Sequence, residues 1–275
     1  MIKYIQKLIA NFKGIYLIAD RRSLLMYLCG FIINLGSIIY SKNLVAADSF
    51  MKGRICKFNI KPGIKVRING DYFSGAREMY CRQVYFASVN VQLSEGDVVI
   101  DLGANRGLFT IMAAQIASKV IAIEAQDGFI DTIKNNVREN NCSDRCIIIN
   151  ALIGAKSGIL SSKDGQQAAS HWEHAPETLS MNDLIDKFNL DKVDLLKVDI
   201  EGSEFDLFNE DTKWLGLVKK IAMEVHPTFG DTDKLKIVLE KAGFLVEIFD
   251  NDLVTTNMIP KDGGYYFCYR SSSIN

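Results

Sequence analysis

The sequence lacks an excess of charge of either sign. Its 275 residues carry 32 Lys and Arg against 33 Asp and Glu, a net charge of −1, so no global field attracts a nucleic acid and any basic patch would be local. It also lacks any C-x-x-C pair: Cys29, Cys56, Cys81, Cys142, Cys146 and Cys268 are scattered, and only Cys142 and Cys146 lie close together. That pattern argues against a disulfide framework or a thiolate metal site and reads as reduced thiols in a cytosolic protein. No internal repeat is present. What the chain does have is 48% hydrophobic content, enough at this length to bury a substantial core and to argue against disorder.

Residues 23–41, SLLMYLCGFIINLGSIIYS, carry no charge and follow a segment holding Lys3, Lys7, Lys13, Arg21 and Arg22. Such a run is long enough to cross a bilayer. Gly30, Asn34, Gly36 and Ser37 interrupt it, which favours a pair of helices packed on the domain over membrane attachment. A signal peptide is the third reading: Val45-Ala46-Ala47 would pass as a cleavage site, but the charged region before the run is too long for one. The expectation is an apolar helical segment over 1–44 in a cytoplasmic protein, with peripheral membrane association through that segment as the alternative.

Residues 45–95 form an extension. KFNIKPGIKVRING alternates like a strand pair with turns at Pro62-Gly63 and Asn69-Gly70-Asp71, and REMYCRQVYFASVNVQL reads as an amphipathic helix. From 96 to 275 the rhythm becomes regular. VVIDLG, KVIAIEA, CIIINALIG, VDLLKVDI and KKIAMEVH are apolar runs separated by helix-length segments, among them GSEFDLFNEDTKWLG, and FLVEIFD and YYFCYR close the chain as strands. Near-continuous apolar strands imply helices on both faces of a mostly parallel sheet, an α/β fold. GILSSKDGQQAASHWEHAPE reads as a polar hairpin or exposed loop. Ligands in such sheets sit at the carboxyl ends of the strands, which directs attention to the last residue of each run.

The turn Asp101-Leu102-Gly103-Ala104-Asn105-Arg106-Gly107 sets a carboxylate at a strand end and glycines where a backbone approaches a ligand. Its G-x-x-x-G spacing is not the G-x-G-x-x-G of a dinucleotide site, which disfavours a nicotinamide oxidoreductase. An acid at the mouth suits an ammonium group better than a phosphate. Glu124 ends the next strand, where a carboxylate accepts from both hydroxyls of a ribose. Two acids around an amino acid and a nucleoside describe S-adenosylmethionine.

VVIDLGANRG, IEAQ, LLKVDIEGSEFDLF and AMEVH together resemble the FkbM family of S-adenosylmethionine-dependent methyltransferases over roughly residues 90–250, and LLKVDIEGSE is the most specific part. The resemblance implies a Rossmann-like class I methyltransferase fold with a seven-stranded sheet whose last strand is antiparallel. It places Asp101, Gly103 and Gly107, with Asn105 in the same turn, around the methionine part, Glu124 and Ala125 at the ribose, and Ala151 near the adenine. Two departures stand out. Glu124-Ala125-Gln126 lacks the proline that many members have after the ribose acid, and Thr178-Leu179-Ser180 replaces a common Thr-Leu-Asp.

Methyl transfer is an in-line displacement, so the protein must align the acceptor and take its proton. Asp199 and Glu201 leave one strand and Glu224 and His226 leave its neighbour, so these four are the candidate catalytic residues, with Asp199 also near the cofactor. His226 is the most basic acceptor at neutral pH, oriented by Glu224 or Asp199; the alternative is a histidine bonded to a backbone carbonyl. The same four would also offer ligands to a divalent ion such as magnesium, a reading not favoured here, and no metal is assigned. Lys197 shares a strand face with Asp199, most simply as an ion pair. Gly202 and Ser203 read as helix-entry residues. Tyr72, Phe73 and Arg77 would either close over the acceptor or pack at the sheet edge. His171 and His174 flank Trp172 in a polar loop without a third ligand.

The expected activity is transfer of a methyl group to a hydroxyl of a saccharide, glycolipid or secondary metabolite, the acceptor class coming from the resemblance. A non-catalytic nucleoside-binding module on a membrane or enzyme complex is the alternative. A nucleic-acid acceptor is not expected, because no basic aromatic channel and no Asn/Asp-Pro-Pro-Tyr turn is present.

Overall fold

The computed structural model describes residues 2–61, 64–153, 176–209 and 211–271. His171, Trp172, His174 and the Pro62-Gly63 turn lie outside them. The chain opens with helices α1 (Ile2–Ile18), α2 (Arg21–Ile33), α3 (Leu35–Ser41) and α4 (Val45–Phe50), the uncharged run 23–41 forming the pair α2 and α3 broken at Asn34, followed by the antiparallel pair β1 (Ile55–Lys61) and β2 (Ile64–Asn69). The helix expected over 77–93 is shorter. Helix α5 (Phe73–Ala76) continues as π turns to Arg82 and breaks where Gln83 takes φ 54°. Val45-Ala46-Ala47 forms the start of α4, with Ala47 fully buried.

The main sheet takes β3 (Val98–Leu102), β4 (Lys119–Glu124), β5 (Cys146–Ile153), β6 (Glu177–Leu179), β7 (Leu195–Val198), β8 (Lys220–Val225), β9 (Leu245–Asp250), β10 (Thr255–Thr256) and β11 (Gly264–Tyr269). Their spatial order is β10-β9-β11-β8-β7-β3-β4-β5-β6, parallel from β8 to β6 and antiparallel around β11. The expected seven strands are all present with the last antiparallel. The sheet has nine because the short β6 and β10 extend its two edges, and strands of two or three residues leave no hydrophobic period in a sequence.

Helices α6 (Leu108–Ala114) and α7 (Asp127–Glu139) pack with the N-terminal extension on one face. Helices α8 (Met181–Phe188), α9 (Glu204–Leu207) and α10 (Thr232–Lys241) cover the other. Alternation along the strands divides the core: Val99 and Phe267 point to the first face, Ile100 and Tyr266 to the second. The first core runs from Ile15 and Tyr27 through Phe58 and Phe73 to Phe109, so the extension and the sheet share apolar packing. Ser180 caps α8 through a reciprocal capping box with Asp183. The acid-rich segment expected as one helix over 202–216 splits into α9 and a 3-10 turn at Lys213–Leu217.

All six cysteines are free thiols. Among the described residues no single helix is long and apolar enough to cross a membrane; α2 and α3 reach that length only together and are bent by 71°.

Candidate active site

Asp101 pairs across the sheet with Lys197 in register, and this fixes the turn after β3. The Lys197 ammonium lies 3.1 Å from Asp101 Oδ1 and donates to the carbonyls of Leu102 (3.1 Å) and Gly103 (2.7 Å). Thr110 donates to Asp101 Oδ2 at 2.6 Å. Asp101 is completely buried and lines neither cavity of the site, which corrects the expectation of an acid at the mouth facing an ammonium group. A fully buried carboxylate needs a counterion, and Lys197 supplies it from inside. The acid therefore organises the turn from behind.

Gly103 is also explained from within the protein. At φ 72°, a Cβ built there would lie 1.7 Å from the carbonyl oxygen of Asp199, so the end of β7 requires a bare backbone. The amides of Gly103 and Ala104 both donate to the Ile123 carbonyl at 3.0 Å, and Asn105 accepts a left-handed φ of 52°. Gly107 packs against Ile133 of α7, while Asn136 of α7 donates to the Arg106 carbonyl at 2.7 Å. The turn is thus rigid before any ligand arrives.

Glu124 ends β4 beside this turn. Its Oε2 accepts from the Asn105 amide (2.7 Å) and its Oε1 from the Gln126 amide (2.8 Å). Burial raises its pKa, and the two backbone bonds oppose that shift. Each carboxylate oxygen has two lone pairs, so one on each remains for a vicinal diol. The slot that Glu124 lines is walled by Ile123, Ala125, Ala151, Ile153 and Ile200, an apolar setting for a purine, and Gly103, Asn105 and Asp199 line it as well. These residues fit the nucleoside half of S-adenosylmethionine. Ala125 and Ala151 both line this slot.

Gly103, Asn105 and Asp199 also border a second cavity of about 290 Å³. Its floor is a cluster that the sequence reading found only in part. The Tyr85 hydroxyl sits 2.8 Å from Asp199 Oδ2 and 3.2 Å from Glu224 Oε2, and Tyr265 pairs with Glu224 across the β8–β11 ladder. Burial, then the charge of Asp199, raises the Tyr85 pKa far above the usual range, so the hydroxyl stays a donor. Burial, then the Asp199 charge, pushes Glu224 up to about 8, so it is protonated at neutral pH. Tyr85 has one proton to donate; with Glu224 protonated, Glu224 donates to Tyr85 and Tyr85 to Asp199. Tyr85 escaped sequence analysis because its partners lie far along the chain and its QVYF context is indistinguishable from core.

His226 lies to one side. Its backbone amide (2.8 Å) and Nδ1 (3.1 Å) both meet Oε1 of the fully buried Glu204, and Nε2 is 3.5 Å from Glu201. Burial opposes its charge, but the Glu204 hydrogen bond and the charges of Glu204 and Glu201 outweigh that and push its pKa up to about 9. A histidine already protonated at neutral pH is a poor proton acceptor, and His226 lines neither cavity of the site. Glu201 holds a left-handed φ of 52° in the loop after β7. Ligand atoms of Asp199, Glu201 and His226 lie within 4.8 Å of one another, but a cation there would have to displace the His226 proton. Gly202 allows the close packing expected of it: a Cβ would meet the Phe229 ring at 2.3 Å.

Of the three extension residues considered, only Tyr72 reaches the larger cavity, with the Arg106 guanidinium 4.9 Å above its ring. Phe73 is buried against Tyr27 at 5.0 Å. Arg77 binds both oxygens of Asp48 (3.1 and 2.8 Å) and Asn11 Oδ1 (2.7 Å), tying α1 and α4 to the end of α5. Asp71, Ser74, Gly75, Glu78 and Met79 complete the wall from the extension.

Among solved structures, the backbone is similar to the precorrin-6y C5,15-methyltransferase of Geobacter metallireducens, with 14% identity and a TM-score of 0.42 over 70% of this chain and 88% of that one. It is similar also to an rRNA methylase of Streptococcus thermophilus, with 11% identity and a TM-score of 0.41 over 70% and 95%. Such likenesses say nothing of the acceptor. No curated protein matches the chain. The model of the methyltransferase FkbM domain matches residues 101–249, more than half of the sequence, spanning the Asp101 turn, Glu124, Asp199 and Glu224. The chain therefore belongs to the FkbM methyltransferase family and is an S-adenosylmethionine-dependent methyltransferase.

Proposed function

We propose that the protein methylates a hydroxyl of a small polyhydroxylated acceptor, a saccharide or a related glycolipid or secondary metabolite. The observation that carries this reading is the junction at Asp199, which belongs to both the nucleoside slot and the larger cavity. When bound, S-adenosylmethionine supplies an electrophilic methyl group on a sulfonium. Glu124 would hold the ribose hydroxyls, the Ala151 edge would flank the adenine, and Asp199 would stand where the two ligands meet.

Tyr85 and Lys197 both approach Asp199 through Oδ2, which leaves Oδ1 for a ligand. An acceptor hydroxyl bonded there is oriented through its proton, and that proton passes to the carboxylate as the oxygen gains the methyl group. Tyr85, backed by Glu224, fixes the carboxylate's rotation. Asp71, Glu78 and Asp199 around the cavity accept from hydroxyls, protonated Glu224 adds a hydroxyl donor beside them, and Tyr72 offers a ring edge to a sugar.

Two measurements test the reading. Calorimetric titration with S-adenosylhomocysteine is expected to show binding weakened about 10–100-fold by Glu124→Ala, the loss of charged hydrogen bonds to a diol. Incubation of a cell extract with a labelled methyl donor is expected to label a hydroxyl-bearing small molecule, and Asp199→Asn to lower that turnover by about 10²–10⁴ at saturating cofactor. Label appearing on RNA, protein or an amine would overturn the acceptor assignment.

A further inference from the structure

Helices α1 and α2 expose apolar side chains at helical spacing. On α1, Tyr16 and Leu17 are exposed while Ile15 and Ile18 are buried; on α2, Leu25 and Ile32 are exposed while Tyr27 is buried. The exposure is large, with Tyr16 and Ile32 at 70% and Tyr40 of α3 at 92%. Leu8, Ile9, Phe12 and Tyr16 of α1 face Leu24 and Leu28 of α2 across one open groove of about 490 Å³, so the two helices present a common apolar surface. A contiguous patch of this kind marks a partner or a membrane.

The charges select the occupant. Between residues 8 and 45 the exposed charged side chains are Lys13, Arg21, Arg22 and Lys42, all basic. The one acid in that stretch, Asp20, accepts from the Ser23 amide at 2.9 Å as the cap of α2. A second copy of the chain would bring these cations together across a two-fold contact. Anionic headgroups would neutralise them while acyl chains cover the apolar residues.

We infer that α1–α3 attach the protein to an anionic lipid bilayer, lying in its interface without crossing it. Crossing is opposed by Tyr27, which is fully buried and stacked on Phe73, and by the 71° bend between α2 and α3.

Flotation of the full chain with vesicles of phosphatidylcholine alone, or mixed with phosphatidylglycerol, tests it. Retention is expected on the anionic vesicles only. Arg21→Glu with Arg22→Glu should weaken it by about fivefold for each charge removed, and Ile32→Asp with Ile33→Asp should abolish it. Both variants should bind S-adenosylhomocysteine as the wild type does, showing that the fold is intact. Absence of retention on either vesicle, or retention insensitive to the charge reversal, would overturn the inference. So would a dimer that Ile32→Asp with Ile33→Asp dissociates in sedimentation equilibrium, without vesicle binding by the wild type.

Discussion

Replacing Lys197 with methionine keeps the side chain's length and removes a charge from a position where it is only 3% exposed, 3.1 Å from Asp101 and 3.7 Å from Asp199. The carbonyls of Leu102 and Gly103 lose a donor in the same step. Burial opposes the Lys197 charge, yet Asp101 and Asp199 outweigh it and hold its pKa above the ordinary value, so the wild-type pair is ionised. In the variant Asp101 keeps the Thr110 hydrogen bond and otherwise faces methionine. Breaking a buried pair from one side costs about 3–5 kcal/mol, because the remaining carboxylate is ionised without a partner or must bind a proton. At about 2–4 °C per kcal/mol for a chain near this size, Tm should fall by roughly 6–20 °C. Urea denaturation followed through the buried Trp214 measures the loss. Adding Asp101→Asn removes the orphaned charge, so the double variant should be at least about 1 kcal/mol more stable than the sum of the single losses predicts. A Lys197→Met cost below about 1 kcal/mol, the size of a surface ion pair, would refute the account of the turn. So would strictly additive single losses.

Two further predictions bear on the same region. Gly103→Ala, with φ 72° and the Asp199 carbonyl 1.7 Å from the new Cβ, should destabilise the protein and abolish S-adenosylhomocysteine binding together; calorimetry showing wild-type affinity would contradict the close approach. Glu224 titrates near 8 when folded against an ordinary 4.5, so the folded state holds its proton longer and stability falls as pH rises across that interval. His226, raised from 6.5 to about 9, contributes stability below the lower value and loses it as pH rises through the upper one, so both slopes have the same sign. Glu224→Gln should flatten the fall and stabilise the protein at alkaline pH by about 1–3 kcal/mol. Thermal melts from acidic to alkaline pH that run parallel for variant and wild type would contradict it.

The sequence by itself determined the seven longer strands and most of the helices of the methyltransferase core. Apolar runs such as VVIDL and KVIAIE need both faces covered, and only a mostly parallel sheet between helices does that. It also determined the ends at which Glu124, Asp199, Glu201, Glu224 and His226 emerge, because side chains at strand termini follow from the strands themselves. Only the tertiary structure decided what those residues do. Asp101 turned out to be an internal counterion because β7 brings Lys197 beside it in register. His226 became a cation because the first turn of α9 carries the buried Glu204 under it. Tyr85 joined Asp199 and Glu224 because the chain before β3 folds back over the sheet. Protonation and exposure are set by distances in space, and a linear pattern fixes distances only between neighbours on the same helix or strand.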